Sequence, residues 1–294
     1  MTNPFKGSMV ALVTPFRDGQ VDFKTLDALV DMHIEAGTDV LVPCGTTGES
    51  PTLSHEEHDK VNAAVIRRAR GKILVMAGTG SNATEEAIQL TRHARDAGAD
   101  GSLQVAPYYN KPTQEGLYRH FATIAEAVEF PHVLYNIPGR CGVEISVDTM
   151  ARLRKSHPSY VAVKHATGQM DGASELLTRT DLAVISGDDS LTLPLLSIGG
   201  VGVISVLANI IPKDVKAMVD AAARGDWATA RQWHLRMFRL ARAMFVETNP
   251  IPIKTAMAAA GMVAEEFRLP MCPMQPANRE KLLAAMSEYG LNVR

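Results

Sequence analysis

With 30 basic against 32 acidic residues and 5 % aromatics in 294 residues, the chain has neither the net field that draws in nucleic acid nor a base-stacking platform. Cys44, Cys141 and Cys272 stand far apart with no C-x-x-C spacing, which argues against a zinc site and a disulfide framework and suits a reducing cytoplasm. The length admits two small domains or one large α/β barrel.

No targeting signal is expected at the start, where Met1 to Gly7 leads into a short apolar stretch broken by Thr14 and Pro15. A first strand is predicted at 9–13 and a helix at 25–36, ended by Gly37 as a left-handed cap. A strand at 39–43 runs into Gly45-Thr46-Thr47-Gly48-Glu49, and a helix at 55–70 follows, with Ser54 and Glu57 at capping-box spacing. After a strand at 73–77, Gly78-Thr79-Gly80-Ser81-Asn82-Ala83 fits the dinucleotide fingerprint G-x-G-x-x-[GA], although Asp100 precedes the next strand where an acidic residue should end it. Asn82 and Glu85 repeat the capping-box spacing before a helix at 84–97 that ends at Gly98.

A strand at 101–105 leads to Pro107-Tyr108-Tyr109-Asn110, a helix is predicted at 115–128, and a strand at 132–136 leads to Ile137-Pro138-Gly139-Arg140. The apolar run 160–163 stops at Lys164, before His165-Ala166-Thr167-Gly168, and a strand at 182–186 meets Gly187-Asp188-Asp189. Residues 190–212 carry no charge and are long enough to span a bilayer, but Pro194, Gly199, Gly200, Gly202, Ser205 and Asn209 break them into a short helix, a turn and a strand at 201–206, so no membrane span is expected. From Asp226 the strand pattern gives way to helical segments at 227–246, 251–260 and 278–288. Eight strands alternating with helices close most simply into a (β/α)8 TIM barrel over 1–225, with a C-terminal α-helical extension over 226–294.

Such barrels work at the C-terminal ends of their strands, where these polar groups follow. A lysine half withdrawn from water loses part of its preference for the charged form, so Lys164 is a candidate Schiff-base nucleophile. A lysine that extends its head group out of a strand end is the structural alternative. Making and dehydrating a carbinolamine moves protons, a task for the Tyr135 hydroxyl, with Thr46 and Tyr109 extending the relay. Glycines flanking Thr46 and Thr47 free backbone N–H groups for the carboxylate of a 2-oxo acid. Arg140 suits a second carboxylate, unless it pairs with Glu144.

Gly45-Thr46-Thr47-Gly48-Glu49, Tyr108-Tyr109-Asn110, Tyr135-Asn136-x-Pro138-x-Arg140, Lys164-x-Ala166-Thr167-Gly168, Ser186-Gly187-Asp188-Asp189 and Asn249-Pro250-Ile251-Pro252 together resemble the dihydrodipicolinate synthase family over nearly the whole chain. The resemblance implies pyruvate held as a Schiff base on Lys164, with Tyr135, Thr46 and Tyr109 as the proton relay. It implies substrate contacts at Thr47, Ile204 and Gly187, with Arg140 receiving the carboxylate of L-aspartate 4-semialdehyde. Condensation and cyclisation would give 4-hydroxy-tetrahydrodipicolinate on the route to lysine, with no cofactor and no metal.

In the family the tyrosine matching Tyr109 reaches into a neighbouring subunit, which implies a homotetramer built as a dimer of dimers. Ser50, His55, His58, Asn82, Glu86 and Tyr108 are similar to positions that bind feedback lysine in some members, although Pro51 stands where regulated members carry alanine. His55 and His58 read equally well as first-turn helix residues, and a metal pair there would need further ligands.

Two positions depart from the family pattern, Gly139 where serine is frequent and His165 where Glu or Asp is usual. A protonated His165 would lower the lysine pKa further by like-charge repulsion. Three other readings compete: a pyruvate-dependent aldolase of the N-acetylneuraminate or sugar-acid lyase type on the same barrel, an NAD-binding oxidoreductase, and a catalytically silent barrel.

Overall fold

The computed structural model describes residues 1–293. Eight parallel strands close into a barrel: β1 Gly7–Ala11, β2 Val40–Val42, β3 Leu74–Gly78, β4 Gly101–Val105, β5 His132–Asn136, β6 Tyr160–His165, β7 Ala183–Ser186 and β8 Gly202–Ser205. Around them run α1 Phe23–Ala36, α2 His55–Ala69, α3 Thr84–Ala97, α4 Gln114–Ala127, α5 Val147–Ser156, α6 Met170–Arg179, α7 Thr192–Ser197 and α8 Pro212–Ala223. Three helices follow, α9 Trp227–Ala243, α10 Ile251–Ala259 and α11 Pro276–Tyr289, where the extension was expected.

All eight predicted strands are present, the first displaced toward the N-terminus. The Val13 N–H is bonded to the Asn209 side chain, which ends the ladder before it. Side chains alternate along each strand, so Met9, Ala11, Val40, Val42, Met76, Val133, Ala162, Ile185 and Ile204 fill the barrel interior as one apolar cluster. Each large aliphatic buried this way contributes roughly 1.5–3 kcal/mol relative to exposure. Phe5 closes the lower end, its ring so close to Gly101 that a Cβ there would lie 2.5 Å from it. Packing thus leaves only the C-terminal rim free for chemistry.

Helix punctuation follows the sequence with one exception. Gly37 and Gly98 end α1 and α3 at φ 73° and 95°, and Ser54 with Glu57 forms a reciprocal capping box on α2. Asn82 does not cap α3. Its amide donates instead to the Tyr108 carbonyl at 3.2 Å, and the cap position falls to Ala83, which supplies no side-chain bond. A small hairpin pairing Phe16–Arg17 with Gln20–Val21 was not anticipated, although Asp18-Gly19, at φ 53° and 77°, is the dipeptide that a type I′ turn selects.

The uncharged segment 190–212 folds as the short α7, a turn and β8, and among the described residues no helix is long and apolar enough to cross a membrane. Helices of the extension share one apolar core with the barrel: Met237, Leu240, Met244, Ile253, Met257 and Leu282 pack with Leu29, Leu41 and Val65. That packing brings Asn249 and Lys254 against the turn that follows β2.

Candidate active site

Lys164 projects into the barrel from the end of β6, and its Cα is the register partner of Tyr135 on β5. Its ammonium lies 4.1 Å from the centroid of the Tyr135 ring. Only 6 % of Lys164 is exposed, and this burial lowers its amine to about 8, against the opposing pull of the Asp188 and Asp189 carboxylates. The Arg140 charge adds to the lowering. A lysine extending into solvent, the structural alternative, does not describe this side chain.

Burial raises the Tyr135 phenol well above its usual value, while the Arg140 charge and the neighbouring Thr46 side chain act the other way. The phenol is therefore protonated at neutral pH, an O–H able to donate to a departing oxygen beside the amine. Gly187 packs directly on the lysine stem, where a Cβ would lie 2.6 Å from the Ala166 Cβ and 3.2 Å from the Lys164 Cε. Ile204 of β8 is buried among the apolar residues that include Tyr135.

The Gly45–Glu49 turn is anchored on both sides. Gly48 and Glu49 donate backbone bonds to the Gly45 and Thr46 carbonyls at 3.1 Å, and the Thr14 hydroxyl donates to the Gly48 carbonyl at 2.7 Å. The buried Thr47 hydroxyl accepts from the Asn249 amide at 3.0 Å, and the Asn249 carbonyl accepts from the Arg140 guanidinium at 3.0 Å. Asn249 thus ties the expected pyruvate turn to the expected aldehyde arginine. In the sequence Asn249 stood out only as part of a matching motif. Arg140 stands in the short helical turn Pro138–Cys141, exposed, its hydrogen bond going to Asn249 rather than to Glu144.

His165 corrects an expectation. Strand alternation sends its side chain to the opposite face from Lys164, where Nε2 meets the Gln169 carbonyl and the Thr167 hydroxyl, both at 2.9 Å. The charges acting on the lysine are those of Asp188, Asp189 and Arg140, so the anticipated repulsion from His165 is not found. Tyr109 is 90 % exposed at φ 71°, and within one chain it does not reach Lys164.

A cavity of about 360 Å3 opens from this rim toward the cleft between α2 and α3. Thr46, Tyr135, Ile137 and Arg140 line one end and Ser50, His55, His58, Glu86 and Tyr108 the other. His55 Nε2 meets Glu86 at 2.6 Å, and the Ser81 hydroxyl, which donates to Glu86, is the main cause of its lowered pKa. His58 turns Nε2 to the Gly78 carbonyl at 2.9 Å, and among the described residues no group of three or more His, Cys, Asp or Glu is placed to hold a metal. Asn82 lies outside the cavity lining and exchanges bonds with Tyr108 and Asn110 above it. The G-x-G-x-x-A segment crosses the same wall, where a Cβ on Gly78 would lie 2.3 Å from the Cys44 carbonyl oxygen and one on Gly80 2.3 Å from the Val105 nitrogen. These glycines serve strand packing.

The Dihydrodipicolinate synthetase family model matches residues 4–289. A 4-hydroxy-tetrahydrodipicolinate synthase from Geotalea daltonii is 53 % identical over 289 residues, 98 % of this chain and 99 % of that protein. One from Pelobacter propionicus is 55 % identical over 289 residues with the same coverage. The crystal structure of dihydrodipicolinate synthase from Aquifex aeolicus aligns with a TM-score of 0.97 and 51 % identity, covering 99 % of this chain and 100 % of that one. On these matches the chain belongs to the dihydrodipicolinate synthetase family.

Proposed function

We propose that the chain is a 4-hydroxy-tetrahydrodipicolinate synthase, a lyase that condenses pyruvate with L-aspartate 4-semialdehyde in lysine biosynthesis through the diaminopimelate route. The observation that carries this reading is a buried amine at about 8 beside a protonated phenol, both within the barrel mouth. The neutral Lys164 amine attacks the C2 carbonyl of pyruvate, and Tyr135, relayed by Thr46, donates the proton with which the carbinolamine loses water. Loss of a C3 proton from the imine gives an enamine, which forms the new carbon–carbon bond at the aldehyde carbon. The amino group of the semialdehyde then attacks C2, closing the ring and freeing Lys164.

The turn at Thr46 and Thr47 binds the pyruvate carboxylate through backbone N–H groups, with Gly187 and Ile204 shaping the space around it. Arg140 binds the carboxylate of the semialdehyde. Residues 1–225 form the barrel that carries the chemistry, and 226–294 form the extension. Tyr109 completes the relay of a neighbouring subunit in a homotetramer, which accounts for an aromatic side chain left 90 % exposed. The free thiols Cys44, Cys141 and Cys272 suit the cytoplasm. Lysine, as feedback inhibitor, would occupy the outer end of the cavity, with its ammonium on Glu86 and its surroundings formed by Ser50, His55, His58 and Tyr108, while Asn82, outside the lining, holds the Tyr108 carbonyl.

Incubation with pyruvate and borohydride tests the reading, the expected result being one reduced pyruvate on the peptide that holds Lys164. An unmodified peptide, with turnover retained after Lys164→Ala, would overturn it. A pyruvate-dependent lyase for sialic or sugar acids would give the same adduct. It is separated by assaying both aldehyde classes, and the exposed Arg140 favours the short acidic one.

A further inference from the structure

Behind the Gly45–Glu49 turn lies a fully buried ion pair that no step above uses. Glu49 ends the turn at φ 52° and points away from the barrel mouth, its side chain 1 % exposed and paired with the ammonium of Lys254, which is 0 % exposed. Lys254 is the lone charge in α10, its nitrogen 4.3 Å from the centroid of the Phe16 ring and 5.3 Å from that of Phe267. The second Glu49 oxygen accepts the Arg268 backbone N–H at 3.4 Å. Burial lowers the Lys254 pKa, with the Glu49 charge opposing it.

A dry ion pair is a poor source of stability, because an apolar pair of the same volume often holds a fold as well or better. What it supplies is geometry, since a carboxylate answered by one ammonium at a fixed point cannot slide as an apolar contact can. The turn bears Thr46 and Thr47, and its other side-chain anchors include Thr14 on the Gly48 carbonyl, Thr52 on the Glu49 carbonyl and Asn249 on Thr47. We propose that Glu49 and Lys254 are positioning residues for the pyruvate step, a strut from the helical extension that sets the aim of the backbone N–H groups and hydroxyl of the turn. The extension is then part of the catalytic apparatus although it donates no group to the reacting atoms. The inference rests on the pyruvate reading above, which the borohydride adduct of the unaltered chain tests separately.

Two variants decide it in the full-length protein. Glu49→Leu/Lys254→Met replaces the pair with matched apolar volume and leaves no orphan charge, so thermal stability should be kept. Glu49→Asp keeps both charges and shortens only the reach. In each, the KM for pyruvate and the pyruvate concentration for half-maximal borohydride trapping should rise about 10-fold or more, as expected of a slightly misplaced binding turn. The KM for the semialdehyde, at saturating pyruvate, should change several-fold less than that for pyruvate, because Arg140 meets the turn only indirectly, through Asn249. A merely structural pair would lower the folded fraction, and with it turnover, while leaving both KM values alone. Pyruvate KM values unchanged in the folded variants overturn the proposal, and if the apolar double variant does not fold, the pyruvate KM of Glu49→Asp alone decides.

Discussion

Tyr135 and Lys164 face each other across adjacent parallel strands, Cα register partners with the ammonium 4.1 Å from the ring centroid. The ring beside the amine also carries the hydroxyl that, on the proposed reading, exchanges protons with its adduct. One contact therefore sets the ring of a protonated phenol against the buried amine. The net direction for Lys164 is downward, so withdrawal from water outweighs the pull of the two aspartates.

The first prediction concerns the rate of imine formation. With the amine at about 8, the reactive neutral fraction grows about tenfold per pH unit below that value and saturates above it. Borohydride trapping at subsaturating pyruvate should rise with pH and level off near pH 8. A plateau reached only near pH 10.5, the value of an ordinary lysine, would contradict the burial argument.

The burial that activates the amine should also cost the fold stability. Folding lowers the amine from 10.5 to about 8, so between those values the unfolded chain binds more protons and the fold gains stability as pH rises. Below pH 8 the folded state carries the whole cost of a buried charge, on the order of 3 kcal/mol. Lys164→Met should abolish turnover and raise Tm at pH 7, and the gain should shrink as pH climbs from 8 toward 10.5. Thermal melts of both proteins across that range measure it, and a Tm at pH 7 below that of the parent would contradict it.

The strands were legible because parallel β-strands buried on both faces read as unbroken apolar runs, and the polar clusters after them marked the working rim. Ser54 with Glu57, and Gly37, were equally readable, since caps depend on residues close in sequence. Asn82 shows the limit: its spacing to Glu85 is right, but the Tyr108 carbonyl, 26 residues on, captures its amide. Asn249 and Lys254 were missed for the same reason, with partners about two hundred residues away. One signal for Lys254 was local, a single lysine amid Ile251-Pro252-Ile253 and Thr255-Ala256-Met257, where a charge needs a buried partner. The aim of His165 was also open to strand periodicity, since successive side chains on β6 face opposite ways.

Arg140 is expected to act on the second substrate alone. Arg140→Ala removes charge-assisted bonds that are each worth roughly 1.5–3 kcal/mol, so kcat/KM for the semialdehyde should fall about 10- to 150-fold. Pyruvate trapping on Lys164 should be little changed, because the arginine charge is a minor influence on the amine. Arg140→Lys should recover little, since a point charge does not reproduce the planar fork. Semialdehyde kinetics at saturating pyruvate provide the measurement, and an unchanged KM would remove Arg140 from the site.

Gly187 offers the sharpest separation of fold from chemistry. Its φ is not in the left-handed region, so alanine meets no backbone strain there, and the nearest obstacles are Ala166 and the lysine stem. A methyl group at that point would overlap the Ala166 Cβ, 2.6 Å away, and press on the Lys164 Cε at 3.2 Å. Crowding of this kind commonly costs about 1–3 kcal/mol, which a barrel of this size should survive. The displaced amine, by contrast, no longer meets the carbonyl held by Thr46 and Thr47, and an error of about 1 Å can cost on the order of 100-fold in rate. Gly187→Ala should therefore fold and melt within a few degrees of the parent while losing most of its borohydride-trappable pyruvate. Full trapping in that variant would mean that the lysine stem has room to move, and that the glycine is present for some other reason.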